Sequence, residues 1–329
     1  MANPSNGRRR LLKLLRTAGY SIIVVFLCWQ IWRVRHGLGD SLSSVGWSAI
    51  GLAAGFTVVG TFPGFLGWRL LVTGTGMRLT LSDAAWVFFL SGVTRYLPGA
   101  IWPPIVQAAL AKRVGAPAAG LMTAGLITLV LTALSGGIVG LLAVPYLAAT
   151  EPMWWLALPL VLSATGAVML APRLFKRLLS LGQRILGRGG HEIVLPTGRT
   201  SMGVLAYNVL GWSCNGTHAA ILAVALGAPP ASAMTLGIGG FVLSAVVGAL
   251  SQAPAGLGVR EVVLGLTFGV LVSGPDLITL LLLSRLLTTL GHVIATLGVL
   301  GLLAGTRFVA ARRDQPGHHP SDHSRRSRP

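Results

Sequence analysis

The chain of 329 residues is 53% hydrophobic and only 10% charged, with a mean hydropathy of +0.73. That leaves too little charge to cover a water-soluble surface, and several apolar stretches reach the roughly 18–20 residues that cross a bilayer. The net charge of +18 sits at the termini and in one central loop beside apolar spans, which is the positive-inside pattern and not that of a nucleic-acid surface.

In chain order, residues 1–16 form a basic N-terminus. It leads into an apolar stretch, 17–32, read as an uncleaved first helix because no small-x-small cleavage site follows. Further spans are predicted at 45–72, 117–144, 153–171, 201–226 and 275–304. Between them lie two composite segments, 80–112 and 233–274. Each is an apolar run, a Pro/Gly break, and a second, shorter apolar run. The linker 172–200 places Leu174, Leu178, Leu181 and Ile185 at helical spacing beside Arg173, Lys176, Arg177, Arg184 and Arg188, and reads as an interfacial amphipathic helix. The tail, 306–329, is polar and Arg-rich, and is expected to be disordered. Cys28 and Cys214 fall in apolar spans and are read as packing residues, with no disulfide framework or metal site. Gly51–Gly55, Gly136–Gly140, Gly265–Gly269 and Gly301–Gly305 have small-xxx-small spacing, which chance also produces in a chain with 44 glycines.

Lysine and arginine together number five in 1–16, six in 172–200 and six in the tail, against none in 145–152, 227–232 and 273–277. The predicted fold is therefore all-α: a polytopic helical membrane protein with about six full spans, two broken or re-entrant helical hairpins, and both termini cytoplasmic. Only Arg33 and Arg35 lie on the wrong side, where they could snorkel to the interface. A first repeat (about 45–144) and a second (about 201–304) then have opposite orientations. Such inverted repeats recur in transporters, which place substrate where broken helices meet.

The first break reads RYLPGAIWPP (95–104) and the second SQAPAGLGVRE (251–261). Backbone groups freed by a break at membrane depth must be buried in protein or line a wet cavity. Helices restarting after Pro98–Gly99 and Gly256–Gly258 are expected to offer N-terminal N–H groups to an anion. Intramembrane charge is costly and marks function by default, which singles out Arg95, Arg260, Glu261 and Arg285. The expected headgroup site comprises these four with Pro98, Gly99, Trp102, Gln107, Pro254, Gly256 and Gly258; Asn208, Asn215 and His292 are secondary candidates. Plainer roles compete. Arg285 fits a structural Arg–Glu pair equally well, and His218 and His292 fit packing histidines. Trp102, Trp212, Trp154 and Trp155 fit interfacial anchors, and Asp83 a helix start. No phosphate-binding GxxxxGK[ST], HExxH, GxSxG or CxxC occurs. No catalytic residue, metal or cofactor is therefore assigned.

RYLPGAIW, KRVGAP (112–117) and PAGLGVRE together resemble the transmembrane, flippase-type domain of lysylphosphatidylglycerol synthases and its stand-alone relatives, over residues 15 to 305. The resemblance implies a multi-helix domain, 17–305, that moves lipids between leaflets and does not itself transfer the amino acid. No counterpart of the synthases' soluble aminoacyl-transferase domain is expected. Many relatives also carry an acidic residue and an arginine soon after the first Pro-Gly, where this chain reads AIWPPIVQAALAKR with Gln107. The expected function is a flippase-like transporter of a phosphate-bearing phospholipid or polyprenyl-type lipid in the bacterial inner membrane. Its partners would be anionic or polyprenyl-phosphate lipids, with a separately encoded transferase as a further candidate and no nucleic acid. Two alternatives remain: a membrane-embedded enzyme on polyprenyl or hopanoid-type lipids using Glu261 and His292, or a subunit that presents lipid to a transferase.

Overall fold

The computed structural model describes residues 45–97, 100–170, 173, 176, 177, 179–181, 194–251, 256 and 258–313. The predicted first helix 17–32 with Cys28, Arg33 and Arg35, most of the amphipathic linker, and the tail beyond 313 lie outside these residues, as do Pro98, Gly99 and Pro254. The described chain is helical throughout, and no strand occurs among the described residues.

Helices α1 (Trp47–Val59) and α2 (Thr61–Gly74) run through Gly60 as one 28-residue apolar unit. The first composite segment holds α3 (Leu81–Gly92), a 3-10 turn at Val93–Tyr96 and α4 (Trp102–Leu110). Thr80 caps α3: its Oγ1 accepts from the Asp83 N–H at 3.1 Å and donates to Asp83 Oδ2 at 2.7 Å, a local satisfaction of orphan helix donors. After α5 (Ala118–Gly140) come α6 (Val144–Thr150) and α7 (Ala157–Leu170), then α8 (Gly198–Ala225). The second composite segment holds α9 (Pro230–Leu250) and α10 (Val259–Phe268), and α11 (Gly274–Arg313) ends the described chain.

Four stretches are long and apolar enough to cross a membrane: Trp47–Gly74, Ala118–Ala149, Pro230–Leu250 and Gly274–Thr306. Three coincide with predicted spans. The fourth is α9, which the sequence pattern assigned to a broken hairpin; its 21 residues extend about 32 Å at 1.5 Å per residue. The predicted span 153–171 is instead a 3-10 turn at Pro152–Leu156 followed by the 14-residue α7.

The predicted span 201–226 is the long helix α8, yet it is not apolar enough to count among the four. Its position gives the reason. It packs against α1, α2, α5, α9 and α11, burying Ser201, Asn208, Asn215 and His218. A helix enclosed by helices need not be apolar all round, because its polar groups find partners in protein and not in lipid. Two hydrophobic clusters flank it. One gathers Trp68, Leu71, Phe89, Leu121 and Ile127; the other gathers Phe241, Val242, Leu264, Phe268, Leu280 and Leu283.

Among the described residues, Gly136–Gly140 is the pair of the four that packs closely against other helices at both glycines, facing Val246, Trp212 and Leu243. Close approaches to a neighbouring helix's backbone involve other glycines. A Cβ at Gly216 would stand 2.6 Å from the Ile238 Cα, and one at Gly237 2.6 Å from the Ala220 Cα. Spacing alone did not identify the interfaces. Small residues matter only where backbones meet.

Candidate functional site

Just before Pro98 and Gly99 of the first break, the 3-10 turn Val93–Tyr96 points two side chains at the last helix. Arg95 Nη1 donates to His292 Nε2 at 2.9 Å, and its Nε donates to the Gly92 carbonyl at 2.9 Å. A guanidinium only donates, so Nε2 of His292 carries no proton and the ring proton resides on Nδ1. Nδ1 then donates to the Tyr96 hydroxyl oxygen at 3.3 Å. The Thr289 hydroxyl also reaches Tyr96. Arg95, Tyr96 and His292, with Phe88, Phe89 and Thr296, line a cavity of about 180 Å³, ample for several waters at about 30 Å³ each.

Beyond the second break, Gly256 (φ +68°) and Gly258 (φ +80°) adopt left-handed backbone that residues with a Cβ rarely enter. Gly256 also lies against the backbone of Gly248, where an added Cβ would meet the Gly248 Cα at 3.0 Å. This turn starts α10 with Arg260 and Glu261 in its first turn. Glu261 Oε2 accepts from the Gly258 N–H at 2.7 Å, and Oε1 pairs with Arg285 Nη1 at 3.4 Å. Gly258 has no side chain to return the bond, so only the carboxylate half of a capping box is present.

Arg260 lies with its Cζ 4.7 Å from the centroid of Phe241. Its Nε and Nη2 are buried without a hydrogen-bond partner. The aromatic face offsets part of the cost of that buried cation. Phe241 in turn stacks edge-on with His218 at 4.6 Å. His218 is held by the Asn215 carbonyl and, through Nε2, by Ser284 Oγ at 2.9 Å.

Fold closure brings the two ends together. Tyr96 lies within electrostatic range of Arg95, Arg260 and Arg285. Arg260 lies within range of Arg285 and Glu261, and His292 within range of Arg95 and Arg260. Three guanidiniums, one carboxylate, a phenol and an imidazole thus share one region of the helical bundle.

Several predicted members sit elsewhere. Gln107 is 4% exposed, accepting from Trp68 Nε1 at 3.2 Å and donating to Ser91 Oγ at 3.3 Å; it ties α4 to α2 and α3. Trp102 is the first residue of α4 and 36% exposed. Asn215 Nδ2 donates to the Gly211 carbonyl at 2.9 Å, while Asn208 Nδ2 is buried without a partner. Trp212 donates to the Thr132 carbonyl at 3.0 Å, an interhelical bond where an interfacial anchor was considered.

The helix restarts also differ from expectation as anion sites. α4 begins Trp102-Pro103-Pro104, and proline has no N–H to donate. At α10, Glu261 already holds the Gly258 N–H. Positive charge is supplied by side chains instead. Sequence reasoning passed over Tyr96, although it stands inside RYLPG. It also passed over Phe241 and Thr289, which carry no local signal because only tertiary packing gives them their neighbours.

No curated protein matches the chain at a significant level. Residues 16–296 match the family described as the lysylphosphatidylglycerol synthase TM region. The chain therefore belongs to that family of lipid-related membrane domains.

Proposed function

We propose that this protein is a flippase-like transporter that moves a phosphate-bearing lipid between the leaflets of a bacterial inner membrane. The observation that carries this reading is that Arg95 from one broken segment and Arg260 from the other both lie within electrostatic range of Tyr96. Cations at membrane depth are costly and are kept where an anion passes or is held. Six crossings with both termini cytoplasmic would give the two repeats opposite orientation, so that rocking one against the other exposes the cluster to alternate leaflets. The headgroup would enter between the repeats while its acyl chains stay in lipid. No covalent step is required, and the protein would act without a cofactor.

The Glu261–His292 pair considered for an enzyme gains no support. Glu261 is engaged by Arg285 and Gly258, and His292 by Arg95 and Tyr96.

The test is reconstitution. In proteoliposomes carrying headgroup-labelled anionic lipids, the protein should make inner-leaflet label accessible to an impermeant quencher at least about tenfold faster than protein-free vesicles. Arg95→Ala and Arg260→Ala should abolish most of that gain. Wild-type rates equal to those of empty vesicles for every anionic lipid would reject the reading.

A further inference from the structure

The charges around Tyr96 do not balance, and the imbalance has a definite size. Arg95, Arg260 and Arg285 supply three positive charges. Among the described residues, the only carboxylate in electrostatic range of Arg260 and Arg285 is Glu261. Both oxygens of Glu261 are taken, Oε1 by Arg285 and Oε2 by the Gly258 N–H. His292 adds no positive charge, since its Nε2 accepts from Arg95. Glu261 cancels Arg285. Two cations remain, one from each break: Arg95, whose partners are a carbonyl and a neutral imidazole, and Arg260, whose Nε and Nη2 are buried without a partner.

Buried charge is tolerated when it is paired. An orphaned buried donor on an arginine is a group whose partner is supplied from elsewhere. Arginine forks match the tetrahedral oxygens of phosphate. Arg95, Tyr96 and His292 line a cavity, so the Arg95 side of the cluster is accessible.

We infer that the cluster recognises a dianionic phosphate, that is, a terminal phosphomonoester. A singly charged phosphodiester or an aminoacylated, cationic headgroup matches it less well. The inference rests on the transport reading for the location of the site and adds the charge class of what it binds. A phosphomonoester carries about −1.5 to −2 charges at neutral pH, with its second ionisation near pH 6, which matches the two positive charges of Arg95 and Arg260. A phosphodiester leaves one of them uncompensated. A headgroup ammonium would have to compete with Arg285 and the Gly258 N–H for Glu261, the only carboxylate among the described residues in range of Arg260 and Arg285. Lipid phosphate and soluble phosphate share this chemistry, so the test separates them.

The experiment measures binding to the purified full chain in phosphatidylcholine nanodiscs at pH 8, read as a ligand-dependent rise in the unfolding midpoint. The probes are phosphatidic acid, phosphatidylglycerol and lysyl-phosphatidylglycerol with matched acyl chains, together with glycerol 3-phosphate and inorganic phosphate in the buffer. Phosphatidic acid should bind at least about tenfold more tightly than phosphatidylglycerol, as expected for one added charge beside an uncompensated cation. Lysyl-phosphatidylglycerol should bind weakest. At pH 5, where the monoester approaches a single charge, the preference for phosphatidic acid should shrink towards unity.

Arg260→Gln should remove the preference and Arg260→Lys should keep part of it. The comparison within wild type stands even if a variant does not fold. Equal binding of phosphatidic acid and phosphatidylglycerol, or tighter binding of the lysyl lipid, would overturn the inference while leaving lipid transport intact. If soluble phosphates bind as tightly as phosphatidic acid, the dianion assignment is supported and its source is aqueous, which counts against lipid transport. Selective binding of phosphatidic acid without any leaflet exchange would support the charge class and reject transport.

Discussion

The two broken segments share a sequence plan and differ in how they are held. The first consists of α3 and α4, 12 and 9 residues long, each too short to cross about 30 Å of hydrocarbon. It is fixed by aromatic rings, Phe88 and Phe89 against Phe65 and Trp68 at 5.6–5.8 Å, and by the hydrogen bonds of Gln107. The second begins with the 21-residue α9, which is fixed by backbone contact. Gly237 lies on Ala220, Gly239 on the turn at Leu142–Ala143 and Gly248 on Gly256, while Gly240 meets the Thr267 side chain. Ring contacts can slide and adopt new rotamers, whereas backbone-to-backbone contact cannot give without separating the helices. The first segment has one such approach, Pro104 against Gly125, and the second has several, so the second is built as the more rigid wall of the cluster and the first as the one that can adjust.

The sharpest way to break this comparison is Gly237→Ala. Its new Cβ would lie 2.6 Å from both the Cα and the Cβ of Ala220, and overpacking against backbone should cost about 3 kcal/mol or more. The expected result is loss of monodisperse protein, or a matching fall in unfolding free energy in mixed micelles. On the adjustable side, Gln107→Leu leaves the Trp68 N–H buried and unpaired. It should cost about 2 kcal/mol in the same measurement, with transport reduced less than in the arginine variants.

Glu261→Gln removes the charge opposite Arg285 but can still accept from the Gly258 N–H. Because the Glu261 side chain is 32% exposed, the stability loss should be about 1 kcal/mol. The larger change should be in binding: one more uncompensated cation should tighten the hold on a phosphate dianion and slow its release, seen as a lower Kd with slower leaflet exchange. Gly64→Ala closes the series. Its Cβ would meet only the Phe88 ring at 3.8 Å, and the unfolding free energy should move by no more than about 0.5 kcal/mol. If Gly64→Ala proved as damaging as Gly237→Ala, the contrast between a soft and a rigid wall would be wrong.

Much was legible before folding. Mean hydropathy and span length dictate a helical membrane protein, since lipid leaves backbone polar groups no other partner. RYLPGAIW and PAGLGVRE carried the family resemblance and placed Arg95, Arg260 and Glu261 beside the two breaks. The prolines at 103 and 104 were also in plain view, and they already ruled out a full set of donors at the start of α4.

Tertiary structure decided what each polar residue is for. Gln107, which in sequence replaces an expected arginine, became a tie between helices because Trp68 and Ser91 stand opposite it. His292 became a partner of Arg95 and Tyr96, while His218, alike in sequence, became a packed imidazole between Asn215, Ser284 and Phe241. Glycine spacing suggested four contacts, of which one packs closely at both glycines among the described residues, because spacing sets a face of a helix but not its neighbour. Hydropathy and local breaks depend on a residue and the few beside it, so the sequence alone determined the membrane class and the position of the breaks. Which charges are paired depends on residues far apart in the chain, and only the folded bundle brings those together.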